Sequence, residues 1–366
     1  MGSVEQLKQK RAGTGVRAHD ADRAYRGYTL FCPSAGGNLV YLIDMDGEVV
    51  HTWQMPHPPG IYGCLTPEGT LLYNGKVLEP GGTRFIDSGP WKGGSLLEMT
   101  WDGDILWEAR HRDHHHDGVK LRNGNVLLLC LAALPDDIAR RVVGGMPGSE
   151  REGVMHADYL VEMTTGGEEV WRWNAWEHLD PVEDRIVAAQ DHRSEWTHGN
   201  AVVEMEDGNI IVSFRNISTV IIIERSTGEI VWKLGAPPLA QQHAPTVLAN
   251  GNLLIFDNGT HRVDHPVPFS RVIEVERATK AIVWTYQEGY ISEFFSPFIS
   301  NAQRLPNGNT LICEGSFGRI FEVTREGEVV WEYINPHFHE PVSMPGTTPR
   351  NTVFRAFRYG MDVLRG

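Results

Sequence analysis

Three histidines stand at the head of stretches of one form: DGVKLRNGN follows His116, GNAVVEMEDGN follows His198 and APTVLANGN follows His243. Asn301 and Asn351 hold the same place before AQRLPNGN and TVFRAF. A neutral imidazole can attack as a nitrogen nucleophile, carry a proton near neutral pH, or ligate a metal. The competing reading is that these are structural histidines with satisfied hydrogen bonds. Arg215 follows the apolar run 210–214, and a guanidinium there can hold an oxyanion through two parallel hydrogen bonds; the alternative is an ion pair between neighbouring units. Asn301, Glu314, Asn258, Arg355 and Tyr62 are the candidate substrate-binding groups. For Asn258 a tight turn with Asp257 and Gly259 competes with that role, and for Arg355, as for Arg358, an ion pair does. The densest histidine run spans 111–117 (HRDHHHD). It cannot turn all its rings toward one ion, because neighbours on a strand face opposite ways. It also leaves open which of His115 and His116 enters a common space.

These groups act together only if the chain brings the heads of those stretches to one place. Residues 194–235 show how. They read as four short strands, 201–204, 210–214, 219–223 and 229–234, because β-branched and apolar runs alternate with the turns DGN, NIS and STG. The outer half of this meander, a strand, a polar turn and a strand bearing Trp, recurs six times, ending on Trp53, Trp107, Trp171, Trp232, Trp284 and Trp331. The inner half recurs five times around a Gly-containing turn such as RNGN at 122–125 or PNGN at 306–309. The sixth inner strand is expected from 351–359, NTVFRAFRY, lying beside 28–32.

An all-strand period of about 50 residues predicts an all-β fold, a six-bladed β-propeller with four-stranded blades over 27–366 and a closing blade shared between the N- and C-termini. Residues 1–26 are read as an N-terminal extension. In such a ring the innermost strand of each blade lines the central channel, so the strand heads meet at one mouth. The long connections 76–93, 131–155, 174–197, 259–270, 289–300 and 335–350 are expected to build a rim over it. Short helices are expected within 135–143 and 180–189.

With 33 basic and 47 acidic residues the formal charge is −14, which argues against nonspecific binding to nucleic acid or an anionic membrane. No apolar run is long enough to span a membrane, and 1–26 does not read as a signal peptide. Four unclustered cysteines are expected to be free thiols in a reducing compartment, which together with the missing signal predicts a cytoplasmic protein. A homo-oligomer is compatible with the sequence. No P-loop, dinucleotide fingerprint or zinc-finger spacing occurs.

WTHGN at 196–200, SFRN at 213–216, IVWKLG at 230–235, QQHAP at 241–245 and LLIFDNG at 253–259 resemble, in order and local spacing, the bacterial arylsulfate sulfotransferase family. Its members move a sulfuryl group between phenols without a nucleotide donor. The resemblance implies a six-bladed propeller with its active site in the channel and no cofactor. It implies that His243 matches the histidine that becomes sulfurylated in a ping-pong reaction. His198 and Arg215 match groups that bind the sulfuryl oxygens, and His116 matches an earlier channel histidine. The expected partner is a small aromatic or anionic substrate. The main chemical alternative is a metal-dependent lyase or hydrolase holding a divalent metal on His116, His198 and His243. A noncatalytic binding propeller is the third.

Overall fold

Every predicted blade forms. The computed structural model describes residues 13–78, 89, 91–262, 265–342 and 345–365, and these make six antiparallel sheets. The meander at the centre of the sequence argument consists of Gly199–Glu204, Ile210–Phe214, Thr219–Ile223 and Ile230–Leu234, paired in that order. The apolar residues of its two middle strands are wholly buried, because both faces of a blade are covered by its neighbours. The inner strands Pro59–Leu65, His114–Lys120, Gly199–Glu204, His243–Val247, Asn301–Arg304 and Val353–Tyr359 follow one another around the ring.

The seam closes as expected. Val353–Tyr359 pairs with Tyr28–Pro33, with Tyr28 opposite Tyr359 and Thr29 opposite Arg358. The blade before the seam gains a fifth strand, because Gly15–His19 lies along the outer edge of Val329–Ile334. Part of the N-terminal segment therefore covers a sheet edge that would otherwise be open; residues 1–12 of the extension fall outside the described residues.

Neighbouring blades are tied by two recurring contacts. The first is the outer-strand tryptophan: Nε1 of Trp232, Trp284 and Trp331 donates to the carbonyls of Arg277, Arg325 and Met45, each at 2.8 Å in the next blade. In the first outer strand the residue in register with these is His51, not Trp53, since Leu42 pairs with His51 as Glu322 pairs with Trp331. His51 Nε2 contacts Trp101 O at 3.0 Å in the same manner. In the third, Trp173 rather than Trp171 reaches across, to Gly228 O at 2.8 Å. The second tie is a buried glutamate facing the inner turn. Glu274 accepts from Asn250, Asn252 and Arg304, and Glu322 from Asn309 and Arg358.

A helical turn forms at Asp136–Ala139, inside the expected 135–143. The helix expected at 180–189 does not form. Asp180 Oδ1 instead caps a turn by accepting from Val182 and Glu183. The following amides of Ile186 and Val187 are taken by Val143 O and Asn216 O, which removes the donors a helix needs. The helical turn in this insertion is Ala175–His178. All four cysteines are free, and burial pushes the thiols of Cys32 and Cys64 up to about 12.

Candidate active site

At the head of three inner strands the backbone turns into the left-handed region. His116 and His198 have φ of 51°, and Ala244, directly after His243, has φ of 47°. A non-glycine residue held there costs on the order of 1–3 kcal/mol and persists only where its surroundings fix it. The ladder slips at the same three places, opposite Leu128–Cys130, at Gly199–Ala201 and at His243–Thr246. Bulges of this kind re-aim a side chain, and here they turn the imidazoles to the channel mouth. Gly199 is required after His198, since a Cβ there would lie 2.7 Å from Asp158 Oδ1 and 2.8 Å from Leu129.

The mouth is a cavity of about 400 Å³ lined by His116, His198, Arg215 and His243 together with groups from the rim. Trp91 comes from the 76–93 connection, Phe298 and Ile299 from 289–300, and Pro341, Val342 and Arg350 from 335–350. The long connections therefore do form the rim. Lys76, Arg215 and Arg350 bring positive charge, and no carboxylate lines the cavity among the described residues. Trp91 stacks on His116 with planes 18° apart and meets His198 edge-on, while Phe354 packs at 6.2 Å from His243. The cavity thus offers cations and flat apolar walls together, the surroundings of an anionic aromatic compound.

His243 is buried, and its tautomer follows from its neighbours. Nδ1 lies 2.8 Å from Asn258 Oδ1 and 3.2 Å from Gln241 O, both acceptors, so Nδ1 carries the hydrogen. Nε2 receives the Ile299 amide at 3.2 Å and therefore presents its lone pair. Burial, helped by the Arg215 charge and opposed by the Asn258 hydrogen bond, brings its pKa down to about 3. The ring is neutral, and hence nucleophilic, throughout the physiological range. His198 holds Glu195 Oε2 at 2.9 Å through Nδ1, which leaves Nε2 for the cavity. Arg215 is braced by Gln241 Oε1 at 3.0 Å and Asn216 Oδ1 at 3.1 Å, with Asp191 at 3.6 Å. His116, not His115, lines the cavity; its ring centroid is 4.7 Å from that of His198, and burial holds its pKa well below the usual imidazole value.

Residues 74–336 match the family model described as Arylsulfotransferase (ASST). The chain belongs to the arylsulfotransferase family. It is accordingly an enzyme of this general type. No curated protein matches it. Among solved structures, a protein of unknown function from Bacteroides caccae is similar over 91% of this chain and 98% of its own, at 14% identity and a TM-score of 0.54. The WD40 β-propeller domain of Doa1 has 11% identity over 88% and 84% of the two chains at a TM-score of 0.47. Virginiamycin B lyase from Staphylococcus aureus has 10% identity over 87% of each at 0.45. The first of these likenesses concerns the fold alone.

The remaining sequence candidates of this arylsulfotransferase lie around or beneath the cavity. Asn258 does not line it: Oδ1 faces His243, and Nδ2 donates to Ser296 O at 2.7 Å and Ile299 O at 3.0 Å, so it positions the histidine. Asn301 exchanges two 3.0 Å bonds with the Ala356 backbone at the seam. Glu314 accepts from the Phe295 amide and pairs with Arg319. Arg355 spans the channel below the cavity, donating to Asp117 Oδ2 at 2.9 Å and Asn200 O at 3.0 Å while lying over the Tyr62 ring. Tyr62 donates to Asp117 Oδ1 at 2.8 Å, and these groups together plug the axis. Arg358 makes the seam ion pair, with Glu322.

The residues of the metal alternative do not fit a metal. Among the described residues no group of three or more His, Cys, Asp or Glu side chains has the geometry to hold one. Trp91 and Arg350 lie in connections without periodicity, and Lys76 ends a strand, so none of the three was among the sequence candidates. Lys76, a charge ending the apolar segment LLYNGK, was the one visible signal.

Proposed function

We propose that this arylsulfotransferase carries a sulfuryl group from an aryl sulfate to a phenolic acceptor by way of His243. The observation that carries the reading is the lone pair of His243 Nε2, fixed by Asn258, at the wall of a cavity bearing cations and aromatic rings but no carboxylate among the described residues. In the first half-reaction Nε2 attacks sulfur, the S–O bond breaks, and its electron pair leaves on the aryl oxide. Ile299 N–H gives up its long bond to Nε2 as the N–S bond forms. Arg215, with His198 and Lys76, offsets charge on the sulfuryl oxygens. Trp91 and Phe354 provide surfaces for the aryl ring. In the second half-reaction the acceptor oxygen attacks the same sulfur, and the N–S pair returns to Nε2.

The test is turnover of p-nitrophenyl sulfate with phenol as acceptor, run with and without a chelator. Transfer to phenol that survives chelation and falls to background in His243→Ala supports the proposal. Turnover that persists in His243→Ala, or that needs a metal, contradicts it.

A further inference from the structure

Behind His116 runs a row of buried side chains that the transfer step above leaves unused. His115 is fully buried; its Nδ1 lies 2.7 Å from His116 Nδ1, and its Nε2 lies 2.9 Å from Asp158 Oδ1. Neither His115 Nε2 nor Asp158 Oδ1 has a hydrogen-bond partner among the described residues, and the two meet at 2.9 Å as an ion-pair contact outside hydrogen-bond alignment. The protons in this row can be assigned from their surroundings. Thr197 Oγ1 already accepts from the Asp158 amide at 3.0 Å, so its hydroxyl donates to Asp158 Oδ2. Gly199 N–H donates to the same oxygen at 2.8 Å. Asp158 is surrounded by donors, which places the hydrogen of His115 on Nε2 and its lone pair on Nδ1. The single hydrogen between the two Nδ1 atoms then belongs to His116. His116 Nε2 is left unprotonated, with no protein hydrogen-bond partner among the described residues, on a ring that lines the cavity.

We infer that Asp158 and His115 set the tautomer of His116 so that its Nε2 is the general base for the acceptor hydroxyl. Asp158 and His115 are positioning residues; His116 is the group that touches substrate. This assignment rests on the sulfuryl-transfer reading and extends it to the substrate class, since a built-in base is needed only for acceptors whose hydroxyl is un-ionised at the working pH. In the acceptor step the O–H proton passes to His116 Nε2 while the oxygen's electron pair bonds to sulfur. The N–S bond breaks, and its pair returns to His243. The His116 imidazolium shares its Nδ1 proton with His115 Nδ1, and the positive charge is stabilised beside the Asp158 carboxylate. The proton returns to solvent after the new ester leaves.

Asp158→Asn reverses the row without emptying it. The amide oxygen can still accept from Gly199 and Thr197, while the amide nitrogen now donates to His115 Nε2. His115 must then carry its hydrogen on Nδ1, and His116 on Nε2, where it cannot take a proton. Histidine ¹⁵N spectra of the substrate-free protein read this directly. They should show the His116 hydrogen on Nδ1 in the native protein and on Nε2 in Asp158→Asn. With one aryl sulfate donor, Asp158→Asn should lose about a hundredfold in kcat with phenol, the lower end of general-base effects. It should stay within about threefold of the native rate with an acceptor that is ionised in the assay. A native spectrum with the His116 hydrogen on Nε2 overturns the inference, as does an equal loss with both acceptors. A merely structural defect would produce that equal loss. If native protein transfers no sulfuryl group, the transfer reading fails, and the native spectrum still decides the tautomer by itself.

Discussion

Asn258→Leu separates a positioning role for Asn258 from a substrate-binding one. Leucine approximates the asparagine side chain in volume but cannot accept from His243 Nδ1 or donate to Ser296 O and Ile299 O. The one Ser270 hydroxyl hydrogen goes to Asn258 O at 2.9 Å, and His243 Nδ1–H keeps Gln241 O at 3.2 Å, so the groups left wanting are the carbonyls of Ser296 and Ile299. At about 1–3 kcal/mol for each buried unsatisfied group, the stability loss should be about 2–4 kcal/mol, read by urea unfolding. The catalytic effect is distinct. The 2.8 Å bond favours the Nδ1–H tautomer, and losing about 0.5–1.5 kcal/mol of that preference lowers the Nδ1–H to Nε2–H ratio roughly 2- to 12-fold, so the productive fraction falls by no more than that factor. The fall should appear in kcat and leave KM for the aryl sulfate within about twofold, because Asn258 does not line the cavity. Steady-state kinetics with p-nitrophenyl sulfate, paired with the histidine ¹⁵N spectrum, makes the measurement. A native kcat with the His243 hydrogen still on Nδ1, or a loss confined to KM, refutes the reasoning.

Two further predictions concern charge. Burial and the neighbouring Lys92 bring the Lys76 pKa down to about 8, so KM for an aryl sulfate should climb as the pH passes 8 and the ammonium is lost. Lys76→Met should raise KM about 10- to 100-fold at neutral pH, the size of one charge-assisted hydrogen bond, and abolish that climb; a climb that persists in the variant assigns it elsewhere. His243 and His114 are both held at about 3, chiefly by burial. Their folded pKa values lie below the unfolded one, so below about 6.5 the unfolded chain binds more protons and stability falls as the pH drops from 6.5 toward 3. Urea unfolding across that window should show a slope that is shallower by about 1.4 kcal/mol per pH unit in His243→Asn, and an unchanged slope contradicts the placement of a neutral, buried His243.

The ring was legible because each blade repeats a period-two apolar pattern punctuated by glycine turns, and the seam because NTVFRAFRY had no partner in sequence. Register was less legible. Trp53 lies two residues from His51, which holds the ladder position of the other crossing residues, and reaches Thr100 O separately at 3.2 Å; Trp171 does hold that ladder position, opposite Glu162, yet Trp173 makes the crossing bond. At the site, His116, His198, Arg215 and His243 were marked by polar residues at equivalent strand heads. The groups that set their chemistry were marked for another role or not at all. Asn258 reads as part of an Asp-Asn-Gly turn, and its hydrogen bond to His243 exists only because the ladder slips at His243. Asp158 lies in the strand His156–Met163, and its contact with His115 comes from a strand two places along the same sheet. The left-handed φ at His116 and His198 leaves no mark in residue type, since glycine is the usual signal for it. The polar residues that do sit at comparable positions, Asn301 and Glu314, were drawn into the seam and an ion pair with Arg319.

The central claim is that His243 Nε2 carries the sulfuryl group between two substrates. Mixing the protein with p-nitrophenyl sulfate in the absence of an acceptor, quenching in base and mapping the peptides by mass spectrometry tests it most directly. The account predicts one sulfuryl group per chain, on His243, released when phenol is added before the quench. Transfer to phenol at the native rate with the label absent from His243, or present on another residue, contradicts it.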